Sequence, residues 1–184
     1  IFPSLPSGMD KILKEHFNRF RDKNELPPEI CENSNCKNLK LFDDKEKLKV
    51  WQSNFKGIRY EDGEGNVLHG AIDNLLVNGK KLIVLDYKTR GYALKKDTHE
   101  HYQNQLDIYN FLLRKNDYET EDYSFLLFYV PNKVNNTGEV IFDTNLVKMK
   151  INVINGEKVF KKGLRLLNED IPEEKCEWCV GIEV

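Results

Sequence analysis

The sequence predicts a mixed α/β protein in which a central mixed β-sheet is flanked by helices. Helical and strand-like patterns follow one another in the order α-β-β-β-α-β-β-α along 184 residues. An Asn-Gly pair at 78–79 stands between two apolar runs, which is the strongest local signal for a β-hairpin. The longest apolar run, 125–130, fits a strand and is far shorter than the roughly 20 residues of a membrane span.

The first third of the sequence is predicted to be mainly helical. Apolar residues recur at helical spacing over 7–21, and Ser7 is positioned to cap that helix. Two consecutive prolines make 24–36 a predicted loop, and 45–54 is predicted to form a short helix. A short strand is predicted at 58–60, between turn residues.

A β-hairpin over 67–88 and a long helix follow. The helix is predicted to begin at Asp97 or Thr98 and to end near residue 116, with acidic residues in its first turn and basic residues in its last. Three further elements, two strands and a final helix, are predicted at 123–130, 140–151 and 158–168.

Length and composition predict one soluble domain. Residues 1–184 suffice for a single core, with an N-terminal helical segment over about 1–56 and a C-terminal helix plus a cysteine-containing tail over about 155–184. The first residues show neither a charged region nor an apolar region of a secretory signal, so a cytoplasmic location is expected.

The net charge of −2 argues against binding nucleic acid by bulk electrostatics. Basic residues are nevertheless concentrated locally after the hairpin and on the last helix, where they form either a phosphate-binding track or ordinary solvated faces. The first group comprises Lys88, Arg90, Lys95 and Lys96, and the second comprises Lys158, Lys161, Lys162 and Arg165.

The register of the hairpin predicts where its charged residues lie. With 78–79 as the two-residue loop, Asp73 lies opposite Val84, and Ala71 lies opposite Asp86. The two aspartates are then diagonal neighbours, about 7–8 Å apart at the backbone. That separation suits two side chains that converge on one ion.

Alternation along the strands places Asp73, Asp86 and Lys88 on one face and Tyr87 on the other, with His69 opposite Lys88. Both strands are largely apolar, so charges there are costly unless they are paired or bound to metal. The alternative is an ordinary hairpin with surface aspartates. The pattern favours metal-dependent phosphodiester cleavage, with the ring of Tyr87 serving in packing.

Three motifs together resemble the RecB-like branch of the PD-(D/E)XK nuclease superfamily. They are GAID at 70–73, LDYKT at 85–89 and QLDIY at 105–109. The branch includes the RecB and AddB nuclease domains and the CRISPR-adaptation exonucleases. The resemblance implies a restriction-endonuclease-like core and a divalent-metal-dependent DNA nuclease acting on single strands or ends. A non-catalytic nucleic-acid-binding or assembly module on the same fold, or a protein without a nucleic-acid role, remains an alternative.

The resemblance also assigns roles in catalysis. Asp73, Asp86 and the backbone carbonyl of Tyr87 would bind Mg²⁺ or Mn²⁺, in keeping with the preference of hard cations for oxygen ligands. Lys88 would orient or activate the attacking water and stabilise charge that develops on the phosphate. Asp73, Asp86 and Lys88 are therefore the expected catalytic residues.

Substrate contacts are expected on the helix that follows the hairpin. Gln105 and Tyr109 are four residues apart and share a helix face, which either packs on the sheet or, by resemblance, lines the site and contacts the DNA backbone. Arg90 is a further expected substrate contact. The implied partners are DNA and the proteins of a repair or CRISPR complex, with no membrane partner.

One motif of the branch is absent, because the chain lacks the usual G-x-x-x-H upstream of the hairpin. His16 is the best substitute as a metal ligand, since it falls on the apolar stripe of the first helix. Asp10 and Glu15 are nearby acidic alternatives, and His69 is another candidate. A histidine on such a stripe is commonly a satisfied core residue instead.

Four cysteines form two pairs near the ends of the chain, Cys31 with Cys36 and Cys176 with Cys179. Several relatives clasp their terminal segments with a [4Fe–4S] cluster, and four thiolates also suit structural Zn²⁺. The alternative is a set of reduced cytosolic thiols, with Cys36 expected to be exposed.

Overall fold

The computed structural model describes residues 4–33 and 36–170, and its elements follow from recognisable local signals. Asp44 caps a short helix by accepting a hydrogen bond from the N–H of Lys47, and Asn152 caps the last helix in the same way. The α-helices are α1 (Ser4–Lys23), α2 (Pro28–Cys31), α3 (Lys45–Trp51), α4 (Gln103–Lys115) and α5 (Val153–Leu167), with a 3₁₀ helix (Thr98–Tyr102) before α4. The strands are β1 (Lys40–Leu41), β2 (Ile58–Glu61), β3 (Val67–Gly70), β4 (Asn74–Asn78), β5 (Lys81–Thr89), β6 (Tyr123–Val134) and β7 (Val140–Lys150).

The strands form a five-stranded sheet in the order β1-β4-β5-β6-β7 and a separate two-stranded sheet of β2 and β3. Strands β5 and β6 are parallel, whereas the other neighbours are antiparallel. A parallel pair needs a crossover, and α4 supplies it between β5 and β6. The predicted mixed α/β class, with a mixed sheet flanked by helices, is confirmed.

Helices cover both faces of the large sheet, so its central strand is buried throughout 82–87. On one face, Val84 of β5 packs in a core with Leu106 and Leu112 of α4. On the other face, Leu85 belongs to a second core with Phe17 of α1. Residues of β5 therefore alternate between an α4 side and an α1 side.

The strand predicted over 67–78 is interrupted. Strand β3 leaves the large sheet to pair with β2, and β4 pairs with β5 after a bend at 71–73. His69 consequently lies opposite Arg59, so the prediction that it faces Lys88 is wrong. The break arises because the backbone at Ile72 hydrogen-bonds outside the strands, to the carbonyl of Trp51 at 2.9 Å.

The register of the hairpin also differs from the prediction by two residues. Asn78 pairs with Lys81, so the two-residue loop is 79–80 rather than 78–79. Gly79 has a φ of +60°, which fits the first central position of a type II′ turn. Asn74 pairs with Leu85, and one further step of the same register sets residue 73 against residue 86. A shift by two preserves parity, so the residues of the ladder keep their predicted faces, although Asp73 itself lies in the bend just outside the ladder.

Smaller differences concern the helices. The predicted loop over 24–36 contains α2, whose first residue, Pro28, is favourable because the first helical N–H has no intrahelical partner. Helix α5 begins at Val153, five residues earlier than predicted, because Asn152 is its cap. Within 4–33 and 36–170, no helix combines the length and apolar character that a membrane span requires.

Candidate active site

Asp73 is held by hydrogen bonds to its backbone carbonyl and its carboxylate. Gln52 Nε2 at the end of α3 donates to the carbonyl of Asp73 at 2.7 Å, and the Tyr87 hydroxyl donates to the same oxygen at 3.3 Å. The carboxylate accepts the backbone N–H of Tyr87 at 3.1 Å, just beyond the last pair of the β4–β5 ladder. The bend at 71–73 thus takes Asp73 out of the ladder and fixes it against β5.

Gly70, the last residue of β3 before the bend, is needed because two parts of the chain approach it closely. A Cβ at this position would lie 2.8 Å from Cε1 of Tyr109, and a Cβ on Gly57 would lie 2.4 Å from the carbonyl oxygen of Gly70. Real Cβ atoms do not approach other atoms so closely. The glycines therefore allow β2, the bend and α4 to pack together.

Asp86 and Lys88 extend the site along β5. The Asp86 side chain is 1% exposed, and the Nζ of Lys88 lies 2.7 Å from its Oδ2. Neither buried carboxylate oxygen of Asp86 has a hydrogen-bond partner of good geometry among the described residues. The ammonium of Lys88 also lies 4.9 Å from the ring centroid of Tyr102, which directs it along the sheet face.

The two carboxyl groups are electrostatically incompatible when both are ionised. Burial, followed by the charge of Asp86, raises the pKa of Asp73 to about 8, against the attraction of Lys88 and Lys14. Burial also raises the pKa of Asp86, with Lys88 opposing. Without a cation, the pair therefore retains a proton near neutral pH. Perturbed carboxyl pKa values of this kind are typical of functional sites.

The ring of Tyr87 packs on the α1 side, as alternation predicts. It stacks on Phe17 with a centroid separation of 5.3 Å, and burial raises the pKa of its hydroxyl. The contact that the sequence did not reveal is the hydrogen bond from this hydroxyl to the carbonyl of Asp73. The ring is therefore part of the support for Asp73.

A buried arginine supports the residue that follows Asp73. Arg21 of α1 is 7% exposed, and its guanidinium donates to Oδ1 of Asn74 at 2.6 Å and to the carbonyl of Phe42 at 2.6 Å. It also donates to Asn18. Burial lowers the pKa of Arg21. This role was not predicted from the sequence, although Arg21 lies on the same helical stripe as Asp10.

Gln105 and Tyr109 of α4 share one helix face, which lies beside Gly70 and Asp73. Gln105 Nε2 donates to the hydroxyl of Tyr109 at 2.8 Å, and Tyr109 packs against Gly70. Burial raises the pKa of Tyr109, so its hydroxyl stays protonated. Asp107, which lies between Gln105 and Tyr109 in the sequence, instead accepts hydrogen bonds from Asn152 and Asn155 at the start of α5.

A cleft of about 560 Å³ opens in front of Asp73. Asp10 was predicted as an acidic alternative, whereas Lys14, Gln52 and Asn54 were not predicted from the sequence. The signal for Lys14 was its i,i+4 spacing from Asp10, with which it forms a 2.7 Å ion pair. The lining residues are Pro6, Ser7, Asp10, Lys14, Gln52, Asn54, Ala71, Asp73, Gln105 and Tyr109.

His16 is not in this cleft, so the structure does not support it as a ligand beside Asp73. Its Nε2 lies 2.8 Å from Oε1 of Glu29, in a different pocket that Tyr129 also lines. The reason is helical phase, because six residues at 100° each place His16 about 120° around α1 from Asp10. The acidic alternative, Asp10, is the α1 residue that reaches the site.

The remaining predicted residues are Arg90 and the four cysteines. Arg90 follows β5, where its backbone N–H donates to the carbonyl of Tyr129 at 2.9 Å. Cys31 is exposed and free, but Cys36 is free and fully buried, so its predicted exposure is wrong. Burial raises the pKa of Cys36 to about 11, which favours the thiol. Cys176 and Cys179 lie outside the described residues.

The donor set at the site suits a hard divalent cation. Among residues 4–33 and 36–170, no three His, Cys, Asp or Glu side chains are grouped closely enough to hold a metal by themselves. Mg²⁺ commonly uses one or two carboxylates and retains water for its remaining ligands. The buried, unsatisfied oxygens of Asp86 beside the carboxylate of Asp73 meet that requirement.

Comparison with known families agrees with this geometry. The family model described as the PD-(D/E)XK nuclease superfamily matches residues 8–180, which is most of the chain. No curated protein is similar enough to count as a match. Members of the superfamily are generally nucleases and typically use Mg²⁺ or Mn²⁺. With this match and the Asp73–Asp86–Lys88 site on its mixed sheet, the chain belongs to the PD-(D/E)XK nuclease superfamily.

Proposed function

We propose that this chain is a divalent-metal-dependent nuclease that hydrolyses DNA phosphodiester bonds. Membership of the superfamily suggests metal-dependent nuclease activity and a nucleic-acid substrate. The observation that carries the proposal is the close pairing of two buried carboxyl groups, Asp73 and Asp86, with the ammonium of Lys88 2.7 Å from Asp86. The more specific assignment to the RecB-like branch rests on the three sequence motifs.

Asp73, Asp86 and the backbone carbonyl of Tyr87 would hold Mg²⁺ or Mn²⁺. When bound, such a cation lowers the pKa of water and neutralises charge on the phosphate. The chain itself supplies the rigid frame, because Gln52 and the Tyr87 hydroxyl fix the carbonyl of Asp73. A frame that needs no rearrangement during the reaction is what electrostatic catalysis requires.

Lys88 is the proposed residue that orients the attacking water and stabilises developing negative charge. The Lys88 side chain is 20% exposed, and its ammonium contacts both the carboxylate of Asp86 and the ring of Tyr102, so its position is restrained. If Asp86 held a cation, the ammonium of Lys88 would be available to a phosphate oxygen of the substrate. Lys88 is thus proposed to contribute charge as well as orientation.

The cleft in front of Asp73 is the proposed path of the substrate backbone. Gln105 and Tyr109 line it from α4, and Asp10 and Lys14 line it from α1. We assign Lys14 to a phosphate oxygen and Asp10 to the outer side of the metal site, because their charges already act on the pKa of Asp73. Arg90, which follows β5, would contact the DNA strand past the end of β5.

A cleavage assay with end-labelled single- and double-stranded DNA in Mg²⁺, Mn²⁺ or EDTA tests the proposal. Wild-type protein is expected to cleave with either metal and to be inactive in EDTA. Lys88→Ala should lose about 100-fold or more in rate, as removal of a transition-state electrostatic contact commonly does. Lys81→Ala, which alters an exposed lysine at the opposite end of β5 that is paired with Glu121, is the matched control and should retain full activity.

Product analysis separates the finer alternatives. Progressive release of short products from linear DNA, with circular single-stranded DNA left intact, would support an end-acting exonuclease. Metal-independent DNA binding without cleavage would instead identify a binding or assembly module on the same fold. Activity that persists in Lys88→Ala would contradict the assigned site.

A further inference from the structure

Two aromatic side chains, one beside a residue of the cleft and the other four residues after Lys88, are almost fully exposed. Phe55 is 91% exposed and Tyr92 is 84% exposed, the highest values among the large hydrophobic residues described. Neither ring contributes to a core, so their contribution to folding is small. Exposed aromatic faces beside a polar cleft are instead suited to contact with a ligand.

Phe55 lies on a turn that is anchored to the site. Ser53 Oγ accepts the N–H of Phe55 at 3.3 Å. Two residues later, Gly57 packs against the carbonyl of Gly70. Asn54, immediately before Phe55, lines the cleft together with Asp73. The backbone that carries Phe55 is therefore fixed next to a residue that lines the cleft.

Tyr92 lies on the loop that follows the catalytic strand. It is four residues beyond Lys88, so its Cα is within about 14 Å of the Cα of Lys88. The loop is anchored on its far side, because Leu94 packs against the core and Thr98 Oγ1 accepts the N–H of Lys95 at 2.9 Å. Tyr92 is thus exposed on a loop whose next residues are held in place.

Both aromatic residues have basic neighbours. No ion pair within the described part of the chain neutralises these cations. An aromatic ring beside unpaired positive charge is the combination that binds single strands, since the ring stacks on a base and the charge contacts the phosphate. The cations concerned are Lys56, Arg90, Lys95 and Lys96.

We propose that Phe55 and Tyr92 are stacking platforms for unpaired bases, so that the site takes a single strand. The inference rests on the proposed nuclease function and specifies its substrate. A single strand presents free base faces to both rings, whereas the bases inside a duplex already stack on one another. Selectivity for single strands would then come from these two rings rather than from the carboxylates.

Fluorescence anisotropy in EDTA measures binding without cleavage. Phe55→Ala and Tyr92→Ala should each weaken binding of a labelled thymidine strand of about 20 nucleotides by about 5- to 100-fold. Tryptophan at either position should restore affinity. Leu167→Ala, which alters a side chain of similar exposure (82%) on α5, is the control and should bind as the wild type does.

A strand of equal length built from abasic residues isolates the bases from the backbone. Wild-type and alanine variants should bind it with equal, weaker affinity, because no base is present to stack. Unchanged binding of the thymidine strand by both alanine variants would overturn the inference. So would an equal loss on the abasic strand, which would show that the substitutions act through the backbone or the fold.

Cleavage by the wild-type protein in Mg²⁺ keeps this inference separate from the proposed function. Cleavage accompanied by unaltered binding in both alanine variants would overturn the stacking platforms and leave the nuclease assignment intact. No cleavage accompanied by base-dependent losses would overturn the nuclease assignment and support Phe55 and Tyr92 as a single-strand binding site.

Discussion

Replacing Asp73 by asparagine should stabilise the metal-free protein at neutral and higher pH. The substitution keeps an acceptor for the N–H of Tyr87 but removes one charge from the buried carboxyl pair. Burial and Asp86 raise the pKa of Asp73 to about 8 in the folded protein, against about 3.9 when unfolded. The folded wild type must therefore hold a proton at pH 7 that the unfolded chain releases.

The size of this effect follows from the two pKa values. Holding that proton at pH 7 costs up to about 4 kcal/mol. The reason is that pH 7 lies roughly three units above the unfolded pKa, and each unit corresponds to about 1.4 kcal/mol. Because the folded-state pKa is raised, the free energy of unfolding of the wild type is undiminished below pH 4 and falls progressively as the pH rises toward 8. Asp73→Asn removes the loss, and each kcal/mol recovered raises Tm by about 2–4 °C.

Thermal unfolding in EDTA at pH 5, 6, 7 and 8 measures the difference directly. The Tm advantage of Asp73→Asn over the wild type should grow with pH over this range. Asp143→Asn, an exposed residue on β7 hydrogen-bonded to Asn132, is the control and should show no such trend. A variant that is less stable at every pH, or a difference that does not depend on pH, would refute the electrostatic reasoning.

Four further results are expected. Mg²⁺ should raise the Tm of the wild type more at pH 8 than at pH 6, because binding must displace a proton, and should leave the Tm of Asp73→Asn nearly unchanged. Gly70→Ala should destabilise by about 1–3 kcal/mol in urea unfolding, because its Cβ would lie 2.8 Å from Tyr109. Arg21→Met should also lower stability, by about 1–3 kcal/mol, since the buried carbonyl of Phe42 loses its donor and Asn74 Oδ1 keeps only the N–H of Leu75. Tyr87→Phe should fold with a Tm within a few degrees of the wild type yet cleave more slowly, because the carbonyl of Asp73 loses one of its two donors.

The common face of Asp86 and Lys88 was predictable because it depends on strand parity alone, whereas Asp73 lies outside the ladder and is positioned by the bend. The loop was assigned to the wrong pair of residues, yet a shift by two keeps every side chain on its face. The break after β3 was not predictable, since it depends on Trp51, a residue distant in sequence that bonds the backbone of the bend. Local patterns contain no information on such a contact.

The α1 contribution to the site was only partly predictable. The apolar stripe showed that this helix packs on the sheet, but it could not show which flank of the stripe meets the carboxylates. Asp10 lies on that flank, whereas His16 lies on the opposite one with Glu29. Cys36 illustrates the same limit, because its polar sequence neighbours suggested exposure while the fold buries it completely.

The central claim is that the buried carboxyl pair makes this chain a metal-dependent nuclease. The most direct measurement is the initial rate of cleavage of end-labelled single-stranded DNA in Mg²⁺ by wild type and by Asp86→Asn, with folding of both confirmed by circular dichroism. The account predicts cleavage by the wild type and a loss of about 100-fold or more in the variant. Equal rates in the two proteins, or no cleavage by a folded wild type in either Mg²⁺ or Mn²⁺, would contradict it.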